Sequence, residues 1–153
     1  MSESWSDEDE AAFHLESLPA WHPSLFVDVF HTALTVPETH ASYRILSEAM
    51  VTPESVESWG DFSRARTVLA GLRISMTPLA AEGAPDVAYV RLVETDQHLV
   101  RMADTPASMH VTLVWRPEIA IVPDTGWRIH AIGEPVAPHL LTRTAPGFDP
   151  SAP

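Results

Sequence analysis

No cysteine occurs in the 153 residues, which removes disulfides, thiolate catalysis and cysteine-ligated zinc and leaves stability to packing alone. That usage fits a reducing compartment, and a cytoplasmic location is the expectation. Lysine is absent too, so all nine basic residues are arginine. A GC-rich coding bias accounts for this, as does a preference for planar, stackable cations. Positive charge is scarce altogether: 21 acidic residues leave a net charge of -12 at pH 7. With no basic cluster to offset it, nucleic acid phosphates and anionic membrane surfaces would be repelled. No apolar stretch approaches the roughly eighteen residues of a membrane span, and the amino end is acidic rather than basic. Neither membrane insertion nor export is expected. The eight histidines form no His-Xaa-Xaa-Xaa-His pair or His-Glu-Xaa-Xaa-His motif, and there is no glycine-rich phosphate loop, so no metal or cofactor is expected.

What is present suits one domain with a real core, at 45% hydrophobic and 20% charged residues. Residues 1–10 are an acidic, polar arm expected to be disordered, 11–143 the single domain, and 144–153 a Pro-rich tail expected to be disordered. The acidic arm suits solubility better than a basic partner. Residues 11–18 predict a short helix. Phe26, Val29, Phe30 and Ala33 recur at helical spacing between Pro23 and about Thr35, with Asp28 and His31 on the solvated side. Pro37 and Glu38 suit the first turn of a second helix, with Tyr43, Leu46 and Met50 on one face. Thr52-Pro53-Glu54 is the clearest start signal: a hydroxyl cap, a proline at the first helical position and a carboxylate beside exposed amides. That short helix runs to Trp59. Asp61 caps the next, with Phe62, Ala65, Val68, Leu69 and Leu72 as its stripe.

From Arg73 the periodicity changes. Strands are predicted at Arg73–Thr77, Asp86–Val93, Met109–Arg116 and Gly126–Ile132, with another at His98–Met102 and a Pro/Gly/Ala connection at Ala80–Pro85. An antiparallel meander follows. Alternation sorts its residues into two sets. Ala88, Val90, Leu92, Met109, Val111, Leu113, Trp115, Trp127, Ile129 and Ala131 are wholly apolar. The other set is Val87, Tyr89, Arg91, His110, Thr112, Val114, Arg116, Arg128, His130 and Ile132, and burying it would bring several cations inside. The apolar set is therefore assigned inward. The outer face then mixes tyrosine, arginine and β-branched residues, a composition that predicts a homodimer through it.

Met109, Trp115 and Trp127 line any cavity on this assignment, or simply fill it. An open one would suit an apolar small molecule. His110 and His130 are candidate acid–base groups, since imidazole exchanges protons near neutrality. Tyr89 and Arg91 are candidates for clamping an anion, and Asp86 for a base. Each also has a plainer account: half-exposed sheet histidines, cross-strand packing and a turn-stabilising carboxylate.

Helices followed by a curved antiparallel sheet, with Thr52-Pro53-Glu54-Ser55, Trp59-Gly60-Asp61-Phe62, Ala84-Pro85-Asp86-Val87-Ala88-Tyr89, Thr112-Leu113-Val114-Trp115-Arg116-Pro117-Glu118 and Trp127-Arg128-Ile129-His130-Ala131-Ile132-Gly133, make a pattern. It resembles the nuclear-transport-factor-2-like, or SnoaL-like, superfamily, and its actinobacterial branch in particular. The resemblance implies an α+β cone, a cystatin-like roll with N-terminal helices packed in the concave face of the sheet. Sheet-to-sheet pairing is common in that superfamily, which spans cyclases, isomerases, hydrolases and plain binding modules, so activity stays open. A non-catalytic dimerisation or partner-binding module leads, ahead of an enzyme acting on an apolar small molecule and a carrier of a small ligand. A filled cone favours the module, an open apolar cavity the carrier, and a cavity holding His110, Arg91 or His130 the enzyme.

Overall fold

The structure, a computed structural model, describes residues 22–35, 47–59, 63–75, 77–94, 108–119, 126–144 and 148–150. Three helices, α1 (Pro23–Thr35), α2 (Pro53–Trp59) and α3 (Ser63–Leu69), precede five strands among the described residues. The strands are β1 (Leu72–Ile74), β2 (Leu79–Ala81), β3 (Ala84–Glu94), β4 (Met109–Trp115) and β5 (Trp127–Gly133). Residues 47–50 are also helical. The chain is thus α+β, with an antiparallel sheet curled into a half-barrel. β1 and β2 share one edge of the long β3, followed by β4 and β5. The arm, the 11–18 and 37–46 helical segments and the 98–102 strand lie outside the described residues.

α2 starts as its sequence predicts. Thr52 Oγ1 accepts the Ser55 amide at 3.1 Å, and the Thr52 amide reaches Ser55 Oγ at 3.1 Å, a reciprocal cap with serine in the place of glutamate. Ser55 Oγ also donates to the Ile129 carbonyl at 2.6 Å, which closes the outer edge of β5. α1 and α3 cap each other's carboxyl ends. His31 Nε2 lies 3.0 Å from the Leu69 carbonyl, and Arg66 Nε donates to the Leu34 carbonyl at 2.9 Å. Each satisfies a last-turn carbonyl with no partner in its own helix. His31 is therefore engaged rather than solvated, and burial pushes the neighbouring Asp28 carboxyl above its usual value, against the pull of His31.

One apolar cluster joins helices to sheet. Phe26, Val27, Phe30 and Leu34 of α1, Met50 and Val51, Ala65 and Leu69 of α3 pack with Ala88, Val90, Leu92, Val111, Leu113, Trp127 and Ile129. Two expectations need correction. Val29 is 40% exposed while Val27 and Leu34 are buried, because α1 turns the Val27–Leu34 side of its stripe to the sheet. Ile132, expected outside, packs on the core. The cause is a bulge: Leu113 pairs with Ile129 but Thr112 pairs with Ala131, leaving His130 as an extra residue. Beyond it the alternation slips by one and Ala131 and Ile132 exchange faces.

Strand β2 was expected to be part of a connection. It forms a hairpin with β3 through Glu82 and Gly83, whose φ of 74° suits glycine. Leu-Ala-Ala carries little β propensity, so only that turn signalled it. Ala80 pairs with Ala88 but Ala81 with Ala84, so 85–87 bulge from the ladder. Pro85, which lacks a donor, sits there without loss.

The second sheet face is covered by the chain itself. Val87 clusters with Ala84 and Leu141, flanked by Tyr89 and Val136. Tyr89 Oη donates to the Val136 carbonyl at 2.8 Å, and the Val136 amide donates to Thr112 Oγ1 at 3.1 Å. Val87, Thr112 and Val114, expected to form an outer surface, are buried. A second copy meeting this face would meet residues 136–141, among them the 65% exposed Leu140, rather than these strand side chains. Arg128, expected outside with them, is fully buried. Its guanidinium lies 5.9 Å from the centre of the Phe26 ring and Nη1 donates to the Trp127 carbonyl. Burial lowers its pKa to about 10, with Glu118 pulling it back up, so it stays a cation at neutral pH.

Candidate functional site

A cavity of about 290 Å³ lies beside the bulge of β3. Pro78, Leu79 and Ala80 line it from β2 and its approach, and Pro85, Val87 and Ala88 from β3. His22 and Pro23 at the start of α1, Trp127 of β5, and Asp149 and Pro150 complete it. Val87, Ala88 and Trp127 are buried, whereas Leu79 and Asp149 are exposed. Most of the lining is apolar, with the half-buried His22 and the exposed Asp149 as its charged or titratable side chains.

Two aromatic rings back Trp127, one directly and one through the other. Trp115 meets it edge to face at 5.4 Å, and Phe148 stacks on Trp115 at 6.1 Å and 15°. Gly126 makes room for the same ring, since a Cβ there would come within 2.5 Å of the Trp115 indole, and its φ is 90°. That positive φ is one that glycine adopts without strain. Thr144 also lies on the domain, its hydroxyl 2.5 Å from Glu118 Oε1.

His22 and Asp149 are the titratable residues of the lining. His22 Nδ1 accepts the Ser24 amide at 3.2 Å, so that nitrogen carries a lone pair, and burial pushes the imidazole pKa down. Ser24 Oγ donates to the Ser75 carbonyl at 2.7 Å, tying the start of α1 to the sheet.

The candidates named from sequence do not converge. Of Met109, Trp115 and Trp127, only Trp127 lines the pocket, and the others pack against the core. None of His110, His130, Tyr89, Arg91 and Asp86 lines it. Arg91 and His110 are cross-strand partners, with Arg91 Nη2 donating to Ser75 Oγ at 3.2 Å. Tyr89 is one row away and bonded to Val136. His130 stands in the β5 bulge, its pKa lowered first by burial and then by Arg116, against the pull of Glu54. Its Nδ1 finds no hydrogen-bond partner among the described residues. Beside it, Arg116 bridges Glu54 at 3.1 Å and Glu118 at 3.0 Å. Asp86 is buried against Arg143, with Oδ1 at 3.1 Å and Oδ2 unpartnered among the described residues.

These are separate stations: a capped sheet face, an ion-pair cluster and a buried latch. Sequence reasoning missed His22, Leu79, Pro85 and Asp149. The available signal was Pro78 and Pro85 bracketing a Glu-Gly turn, which marks an irregular edge strand but not a pocket. Among the described residues no group of three or more metal-ligating side chains gathers, and no helix is long and apolar enough to cross a membrane.

Comparison with protein-family models, curated proteins and solved structures found no match.

Proposed function

We propose that this chain is a non-catalytic binding module of the cone type, which holds a small apolar molecule in the pocket beside the β3 bulge. One observation carries the reading. The cavity is lined mainly by proline, aliphatic and indole groups, while the acid–base candidates lie elsewhere, in stations already engaged with the chain's own groups. A pocket that is apolar with few polar groups binds by burial, and none of the acid–base candidates named from sequence stands around it, His22 and Asp149 being its titratable groups. Between helices and sheet, Phe26, Phe30, Leu34 and Met50 belong to the packed core, so the reading rests on the pocket beside the bulge.

The test is a fluorescence titration with phenylnaphthylamine, a neutral apolar dye. It should bind with one-to-one stoichiometry. Leu79→Glu, at an exposed rim position, should weaken binding about tenfold, as expected for a charge set against an apolar ligand, while leaving the thermal transition in place. Absence of binding, or binding indifferent to that substitution, would remove the pocket from the function.

A further inference from the structure

One wall of the pocket comes from the far end of the chain and is attached differently from the rest. Leu79 and Ala80 pair in register with Tyr89 and Ala88, so the β2–β3 wall moves only with the sheet. Asp149 and Pro150 also line the pocket, but residues 148–150 belong to no helix or strand. Beside the pocket, Phe148, which is not one of the lining residues, stacks on Trp115 at 6.1 Å and 15°, and Trp115 meets the pocket residue Trp127 edge to face. Thr144 converges on the same residue, its hydroxyl 3.1 Å from the Trp115 carbonyl and 2.5 Å from Glu118 Oε1. On the reading just given, we propose that residues 148–150 are a strap that lifts for the apolar molecule to enter or leave, with Phe148 as the positioning residue that holds it closed. Phe148 keeps 45% of its surface exposed, against 2% for Val87 and Trp127 on other walls. Lifting it therefore uncovers little further apolar area and leaves the core packed. A segment that opens more readily than the structure it lies on controls the rates of entry and exit.

Stopped-flow mixing of the full chain with phenylnaphthylamine over a range of dye concentrations gives the association and dissociation rates separately. Phe148→Ala removes the stack from the empty and the occupied protein alike, so both rates should rise together, by about fivefold for an aromatic pair of ordinary strength. The Kd should stay within about twofold of the parent's, and the thermal transition should not move. Phe148→Tyr keeps a stacking ring and should restore the parent's rates. Thr144→Val, which loosens the neighbouring anchor without touching the lining, should shift both rates in the same direction as Phe148→Ala. A rise in the dissociation rate alone would overturn the strap, because it would mean that Phe148 only shapes the wall. Rates unmoved by Phe148→Ala would overturn it too, and in either case a pocket that binds the dye stands. A parent chain that takes up no dye would overturn the pocket reading and the strap with it.

Discussion

The two faces of the sheet are closed by different physics. The helical side is sealed mainly by apolar side chains, Phe26, Phe30, Leu34 and Leu69 against Val90, Leu92, Val111 and Leu113, with Ser24 and Ser55 tying the helix starts to the sheet. The opposite side is sealed by residues 136–144, which bring one small apolar contact set around Leu141 and several directed polar bonds. Apolar burial scales with area and tolerates small shifts, whereas a hydrogen bond or ion pair holds only in its geometry. The first face should respond to lost volume and the second to lost partners. The largest effect belongs to the first: Phe30→Ala should cost about 3–5 kcal/mol, read as a lower urea midpoint at unchanged slope. A cost below about 1 kcal/mol would mean that the interior is not close-packed there.

On the second face the corresponding probe is Arg143→Met. It leaves the buried Asp86 carboxylate without its cation, and breaking a buried pair on one side costs about 3 kcal/mol or more. The double variant Asp86→Leu, Arg143→Met removes both charges and should recover most of that loss, because an apolar pair of similar volume often replaces an ion pair at little cost. Equal destabilisation by single and double variants would show that Asp86 is held by something other than Arg143.

These two faces also mark how far the sequence could be read. Helices before strands, the Thr52 cap and the burial of Val90, Val111, Leu113 and Ile129 follow from local rules, since capping chemistry and period-2 alternation act over a few residues. Two bulges break that locality. The extra His130 exchanges Ala131 with Ile132, and the bulge at 85–87 shapes the pocket. Neither follows from alternation, because bulge position is set by how neighbouring strands pair. The C-terminal cover was less legible still. Val136, Leu141 and Arg143 have no periodicity, and what fixes them is where Tyr89, Thr112 and Asp86 stand on the sheet. The pocket shares this origin, since His22, Pro85, Trp127 and Asp149 meet only in the folded chain.

A smaller effect sharpens the contrast at one bond. Tyr89→Phe removes the hydroxyl that donates to the Val136 carbonyl and leaves the ring in place. The loss should be about 1 kcal/mol, the net worth of one hydrogen bond. Amide exchange should separate it from a change on the helical face: residues 136–141 should exchange faster while α1 is unaffected. Uniform acceleration across both faces would mean that the cover and the core open as one unit.

The smallest effect is the pH dependence, and it bears on both regions through two histidines. Burial holds the pKa of His22 and of His130 below the usual imidazole value of 6.5. A histidine depressed in the fold takes up its proton more readily when unfolded, so between the two values the unfolded chain binds more protons and stability rises with pH. The contribution is fully present above 6.5 and is lost as pH falls through the folded values. Two carboxyls act lower down and in opposite senses. Asp28, raised by burial against the pull of His31, contributes stability below its unfolded pKa that is lost as pH rises through the folded one. Glu118 is pushed up by burial, but the Thr144 hydroxyl and Arg116 outweigh that and hold it low, so its contribution is lost as pH falls through the folded value. Urea midpoints measured from pH 7.5 down to about 5.5, a window centred on the histidine reference, should therefore fall. His22→Gln with His130→Gln should flatten the slope. A slope as steep in that double variant as in the parent would assign the dependence to other groups and show that neither imidazole is kept neutral by the fold.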